Sequence, residues 1–314
     1  MIGRSLQCLA ARAARLAPSP PARRALSSVR APIAAALVDE RRDDIAGARG
    51  DPDRAPALAE ELVAELRRRV VAQAPAWLRL AADLDARLPT DEDEYMDRPE
   101  FDEASRTRTL AAIDRWSRRF GSWACFAAAL EPLLDGGGAT VLDLASGHGG
   151  FALALPELLP RHRLRVIATD LREEYVALGR ARARPEVEFR VVDARRLGEH
   201  FPPGTVDVVT CTQSLHHFGA GGTASLLAEA VRCARRGVLF VDLSRSLSHL
   251  ALISAMAVFA TGDRSVIHDT ALSFRKAFVP EELALIAACV EGGDRLQPLY
   301  LPPGFAALRT PRRS

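Results

Sequence analysis

A chain of 314 residues with 48% apolar and 26% charged side chains has the balance of a globular protein, which excludes collagen-like, mucin-like and wholly disordered architectures. Its formal charge of +2 is uneven: residues 1–38 hold six arginines (Arg4, Arg12, Arg15, Arg23, Arg24, Arg30) and no acid, so the rest is net −4 and lacks the basic footprint of a nucleic-acid binder. The longest uncharged apolar run, Leu250 to Ala260, is shorter than the roughly 18 residues a bilayer span needs, and no transmembrane segment is expected.

Residues 1–38 combine spaced arginines with Leu, Ala and Ser, the composition of an organelle transit peptide. Arg4, Leu6, Leu9, Arg12, Ala13 and Leu16 can form a short amphipathic helix that the Pro-rich stretch at 17–22 stops. Cleavage between Ala25 and Pro32 and a mitochondrial address follow from that reading; a disordered extension is the plainer alternative. Residues 39–134 read as a helical N-terminal cap. Within 51–88, Leu58, Leu62, Leu66, Val70 and Val71 share one face, with an interruption near Pro75. An acidic break from Asp91 to Glu94 follows, then a helical pair over about 100–134 that ends at Asp135, Gly136, Gly137 and Gly138.

From Thr140 onward, short β-rich runs alternate with helices, the pattern of a parallel sheet built from βαβ units. Runs at 141, 164, 187, 206 and 237 supply five strands, with helices expected near 151–159, 173–183 and 223–235. A helix at 280–290 precedes two further strand candidates, at 296 and 305, separated by Pro302, Pro303 and Gly304, so the last strand is expected to be antiparallel. The predicted class is α/β: a doubly wound, mainly parallel seven-stranded sheet over residues 135–314, with a helical insertion at about 243–279. Five cysteines (Cys8, Cys125, Cys211, Cys233, Cys289) stand far apart with no CxxC pair, so no disulfide framework, redox dithiol or metal site is expected.

Open parallel sheets bind ligands beyond the carboxyl ends of their strands. After the first strand comes Asp143-Leu-Ala145-Ser-Gly147-His148-Gly149-Gly150, where glycines let backbone approach a ligand. Asp170 follows the second strand, Asp193-Ala194 the third, and Gln213-Ser214-Leu215-His216-His217 the fourth.

This series resembles the class I S-adenosylmethionine-dependent methyltransferases, over about residues 105–309. The resemblance implies a Rossmann-like fold, with the Asp143, Ala145, Gly147, His148 and Gly149 turn around the methionine part of S-adenosylmethionine. It implies further that Asp170, with Leu171 beside it, takes the ribose hydroxyls, that Asp193 and Ala194 read the adenine, and that Gln213 completes the cofactor set. Ala145 departs from the glycine that many members carry. Leu215-His216-His217 is similar to small-molecule methyltransferases of quinone biosynthesis, which makes a small organic acceptor the expected partner.

For a base that removes the acceptor's proton, the candidates are His217, directly after the fourth strand, and His268, which Asp269 can orient. His216 and His249 are weaker ones. In the insertion, Leu250, Ile253, Met256, Val258 and Phe259 surround their helix, and Arg245, Arg264, Arg275 and Lys276 flank it. These suit a hydrophobic acceptor with one acidic or phenolic end. Two other readings stay open. Gly147-His148-Gly149-Gly150-Phe151-Ala152 also satisfies a dinucleotide fingerprint, as in NAD(P)-dependent oxidoreductases, although Asp143 would then face a pyrophosphate. A protein methyltransferase or organelle assembly factor with a methyltransferase-like domain is the other.

Overall fold

The computed structural model describes residues 21–98, 100–134, 137–247, 249–250 and 264–311. The leader helix expected over residues 4–16, Asp135 and Gly136 of the expected helix stop, and most of the apolar helix expected at 249–260 lie outside the described residues.

Seven strands form one sheet: β1 Ala139–Leu144, β2 Leu164–Asp170, β3 Val187–Val191, β4 Val206–Thr212, β5 Ala234–Leu243, β6 Gln297–Leu301 and β7 Phe305–Arg309. Their order is β3-β2-β1-β4-β5-β7-β6. The first five run parallel, β7 pairs antiparallel with β5, and β6 with β7, as the short Pro-Pro-Gly turn requires. The chain reverses direction across the sheet between β1 and β4, the position where such sheets open a crevice for ligands.

Helices cover both faces. On one face lie α1 Pro21–Glu40, α2 Arg42–Ala48, α3 Arg54–Gln73 and α4 Ala76–Ala86, with α9 Gly219–Cys233 and α11 Pro280–Ala288. On the other lie α5 Glu103–Arg119, α6 Ser122–Leu130, α7 Gly150–Leu158 and α8 Glu173–Arg180; α10 Arg264–Lys276 packs against the strand ends. The stripe read from the sequence is what docks α3: Leu58, Leu62, Leu66 and Val70 are buried, and Leu62 and Leu66 belong to one core with Leu226 and Leu227 of α9. Each fully buried leucine contributes about 1.5–3 kcal/mol. Pro75 separates α3 from α4 as expected, because its ring cannot continue a helix. Trp123, Phe126 and Phe151 fill the opposite core edge-on and tilted.

The N-terminal helices expected over 39–134 are present, α2 to α4 in one helical layer and α5 and α6 in the other. The helical part begins before residue 39, since α1 starts at Pro21 and buries Leu26, Ile33 and Leu37. A cut between Ala25 and Pro32 would sever a helix whose apolar face is core. The reason was invisible in composition, because Arg30, counted as a leader cation, is 4% exposed and bonded to Asp85 at 2.5 Å.

That pair belongs to a buried ionic network. Arg245, just beyond β5, holds Glu282 of α11 through two guanidinium nitrogens at 2.6 and 2.9 Å, reaches Asp85 of α4 at 3.3 Å and donates to the Ala277 carbonyl at 2.8 Å. Arg67 of α3 adds a bond to Glu282 at 2.7 Å. Burial opposes ionisation of Glu282, but the charges of Arg245 and Arg67 outweigh it and hold the carboxyl well below its ordinary range. Arg245 was expected to flank the acceptor; it is 1% exposed and its two terminal guanidinium nitrogens are held in this network instead, while Nε has no hydrogen-bond partner among the described residues. Arg275 donates to the Leu88 carbonyl at 2.9 Å.

Candidate active site

The loop between β1 and α7 is built from unusual backbone. Ala145, Gly147 and Gly149 have φ of +47°, +57° and +76°. Only glycine adopts these values freely, and an alanine there costs about 1–2 kcal/mol. Ala145→Gly is therefore expected to stabilise the protein by about 0.5–1 kcal/mol, part of the gain being lost to the freer unfolded chain. A higher urea midpoint at unchanged slope would register it. Gly149 is held to glycine by more than φ, because a Cβ there would lie 2.4 Å from the Phe189 ring of β3. A Cβ on Gly179 of α8 would meet the same ring at 2.2 Å.

Hydrogen bonds tie this turn to its neighbours. The Ser146 amide donates to the Thr169 carbonyl at 2.8 Å, and the Gly147 amide to Asp170 Oδ2 at 2.8 Å. Across the crevice, Gln213 follows β4 with φ +56°, and Ser214 Oγ donates to the Ala145 carbonyl at 2.9 Å. The ends of β1, β2 and β4 are thus cross-linked, as the strand-end reading requires.

Asp143 is 1% exposed; Thr210 donates to its Oδ1 at 2.8 Å and its Oδ2 has no partner among the described residues. Burial raises its carboxyl to about 7. Asp170 accepts from the Gly147 and Arg172 amides, yet burial still raises its pKa. His148 is buried with Nε2 unpartnered, and burial, then the charge of Arg182, lowers it to about 4, so the ring is neutral. Ser146 Oγ is a third buried atom without a partner. Leu171, just after β2, is 62% exposed. Asp193 caps the following turn through the Arg195 amide at 2.9 Å and pairs with the Arg195 side chain, while Ala194 is buried.

A second cluster sits beside the first, and half of it was not foreseen. After β4, residues Leu215–His217 form a 3-10 turn. His216 is buried; Asp242, at the end of β5, accepts from its backbone amide and lies 2.8 Å from its Nδ1. Burial alone would lower the imidazole pKa, but the Asp242 charge and hydrogen bond, helped by Glu94, raise it to about 9. His217 faces Asp97 at 3.1 Å, and His268 faces Asp269 at 3.1 Å as the sequence suggested. Asp269 also accepts from the Tyr95 and Met96 amides at 2.7 and 3.1 Å. Arg106 of α5 grips the same loop through the carbonyls of Met96 and Arg98, and Arg172 through that of Asp97. Glu94 to Arg98 is thereby pinned across the ends of β2 and β4. Glu94, Asp97 and Asp242 were the residues sequence reasoning missed. Glu94 was read as the end of an acidic break and Asp97 was not singled out, whereas Asp242 ends a strand and could have been found by the rule that picked Asp170.

Residues 141–237 match a family described as a methyltransferase domain. Residues 141–237 therefore carry a methyltransferase domain. A Thermus thermophilus protein, demethylmenaquinone methyltransferase, is 31% identical over 121 residues, 38% of this chain and 50% of that one. The chain thus spans about half the length of the curated relative it matches. Among solved structures, the plantazolicin methyltransferase BpumL in complex with SAH has a TM-score of 0.53 at 12% identity, covering 79% of this chain and 100% of that one. A second BpumL complex, with a pentazolic desmethylPZN analog and SAH, has a TM-score of 0.51 at 12% identity, over 70% and 93% of the two chains. These likenesses carry the fold: the methyltransferase domain has the seven-stranded Rossmann-like sheet expected, here with helices from the N-terminal region built into both layers. Among the described residues, no helix is long and apolar enough to cross a membrane.

Proposed function

We propose that this protein transfers a methyl group from S-adenosylmethionine to an oxygen or carbon of a small organic acceptor. The observation that carries the reading is the set of buried, unpartnered polar atoms around the glycine turn: Asp143 Oδ2, Ser146 Oγ and His148 Nε2. Such atoms cost about 1–3 kcal/mol each unless they find partners, and a ligand with an amino-acid end and a ribose brings those partners. Bound there, S-adenosylmethionine supplies an electrophilic methyl on a sulfonium. The Ala145 to Gly149 turn and Asp143 hold the amino-acid end, Asp170 and Leu171 the ribose, Asp193 and Ala194 the adenine, and Gln213 closes the crevice. His217, oriented by Asp97, is placed to take a proton from an acceptor hydroxyl; His268 is bound into the wall by Asp269 and Tyr95.

The relative that acts on demethylmenaquinone favours a quinone-like or phenolic acceptor with an apolar tail. A mitochondrial address belongs to the same proposal and rests on the arginine-rich residues before Pro21.

Calorimetric titration of the full chain with S-adenosylmethionine, S-adenosylhomocysteine and NAD tests the cofactor. Labelled methyl transfer to alkyl phenols, quinols, small hydrophilic acids and protein extracts tests the acceptor. Micromolar binding of both sulfur nucleotides and label in phenols or quinols is expected. Binding of NAD alone would assign the crevice to an oxidoreductase, and label only in proteins would make the acceptor a polypeptide.

A further inference from the structure

We propose that Glu94, His216 and His217 form a binding site for a first-row transition-metal dication, with zinc the first candidate. One donor atom from each residue lies within 4.8 Å of the other two. Around a tetrahedral zinc ion with bonds of about 2.0–2.1 Å, donors stand roughly 3.3 Å apart, so the cluster has to contract by about 1.5 Å at most. His216 Nε2 and Glu94 Oε1 are 3.7 Å apart, close to that spacing and too long for a direct hydrogen bond.

His216 lies within ion-pair range of both Glu94 and Asp242, and the surroundings also have the features of a metal site. Metal-binding histidines characteristically have one ring nitrogen held by a carboxylate, which fixes the tautomer and turns the other nitrogen toward the metal. Both histidines here have that partner: Asp242 at 2.8 Å from Nδ1 of His216, and Asp97 at 3.1 Å from Nδ1 of His217. Glu94 is itself oriented by Ser273 Oγ at 2.9 Å. Glu94, Asp97, Asp242 and Asp269 concentrate negative charge here; Lys276 acts on His216 and Asp97, and Arg172 on Asp97. Two imidazoles and a carboxylate are the ligand set of several zinc enzymes, in which the fourth position stays open. That position suits an oxygen of the acceptor, whose proton the metal would make more acidic; a metal-bound His217 has no nitrogen free to take that proton, so the metal would stand in for the base role proposed for it. This use of the site rests on the methyl-transfer reading, whereas metal binding does not. The sequence hides the site because Glu94 lies far along the chain from the adjacent His216 and His217, with no recognisable spacing between them.

The test is direct titration. Full-length protein freed of metal by chelator is titrated with Zn2+ in competition with a chromophoric chelator, and separately with Co2+ followed by visible absorption. One equivalent of Zn2+ with submicromolar affinity, and the intense absorption of a four-coordinate Co2+ site, are expected. Glu94→Gln and His217→Gln should each weaken zinc at least 10-fold, and Asp97→Asn about 10- to 100-fold through the orientation of His217. Thermal unfolding and S-adenosylhomocysteine binding by the zinc-free variants report whether they fold. Zinc affinity weaker than micromolar, or equal in wild type and folded variants, would overturn the site and leave an ion-pair cluster. Because S-adenosylhomocysteine is titrated into zinc-free protein, failure of the metal site and failure of the methyltransferase reading give different results.

Discussion

Glu282→Gln is expected to destabilise the protein by about 3–5 kcal/mol, the usual cost of removing one partner from a buried ion pair. The side chain keeps its shape, so the loss is electrostatic. Three guanidinium groups, of Arg30, Arg67 and Arg245, would face the single carboxylate of Asp85, and Arg245 is too deeply buried for water to compensate. Chemical denaturation at neutral pH measures the loss. The pH dependence supplies an independent check. A carboxyl whose folded pKa lies below its ordinary 4.5 stabilises the native state above that value and progressively ceases to do so as pH falls below it. Wild type should therefore lose stability more steeply below about pH 4.5 than Glu282→Gln, which has no such proton to take up. Parallel acid titrations of the two proteins would refute the assignment.

Asp170→Ala is expected to weaken S-adenosylmethionine and S-adenosylhomocysteine about 30- to 1000-fold, since losing hydrogen bonds to a charged acceptor costs on the order of 2–4 kcal/mol. The residue has a second duty that complicates the experiment: its Oδ2 accepts from the Gly147 amide and its Oδ1 from that of Arg172. Alanine removes the brace of the glycine turn together with the ligand's acceptor. Asp170→Asn keeps one oxygen for the turn and should retain more stability while still losing affinity. Calorimetry of both variants, with unfolding measured alongside, separates the roles. Unchanged affinity in a folded Asp170→Ala protein would remove the ribose from this position.

The sheet was readable because its signal is local. Each of the five parallel strands is a short apolar run that ends in an acid, a glycine turn or a histidine pair, and the Pro-Pro-Gly turn dictates the antiparallel final strand. Asp143, Asp170 and the Gly147 turn came out for the same reason. What composition misrepresented was charge that folds inward. Arg30 and Arg245 look like surface or substrate-facing cations until Asp85 and Glu282, distant in sequence, arrive beside them. Glu94 and Asp97 failed similarly: an acidic loop has no periodicity, and only Arg106, Arg172 and Asp269 decide that it lies across the strand ends rather than in solvent.

The Phe189 ring sits where side chains on Gly149 and on Gly179 would both have to be. A phenyl group on β3 therefore acts as a spacer that fixes how closely the first loop and helix α8 approach each other. The three positions form one steric unit, and transplanting a loop with alanine at 149 from a related protein would fail unless residue 189 shrank with it. Even then the left-handed backbone at 149 would remain strained. Sequence exchange at the cofactor crevice is thus governed partly by a residue on the neighbouring strand, outside every motif that marks the crevice.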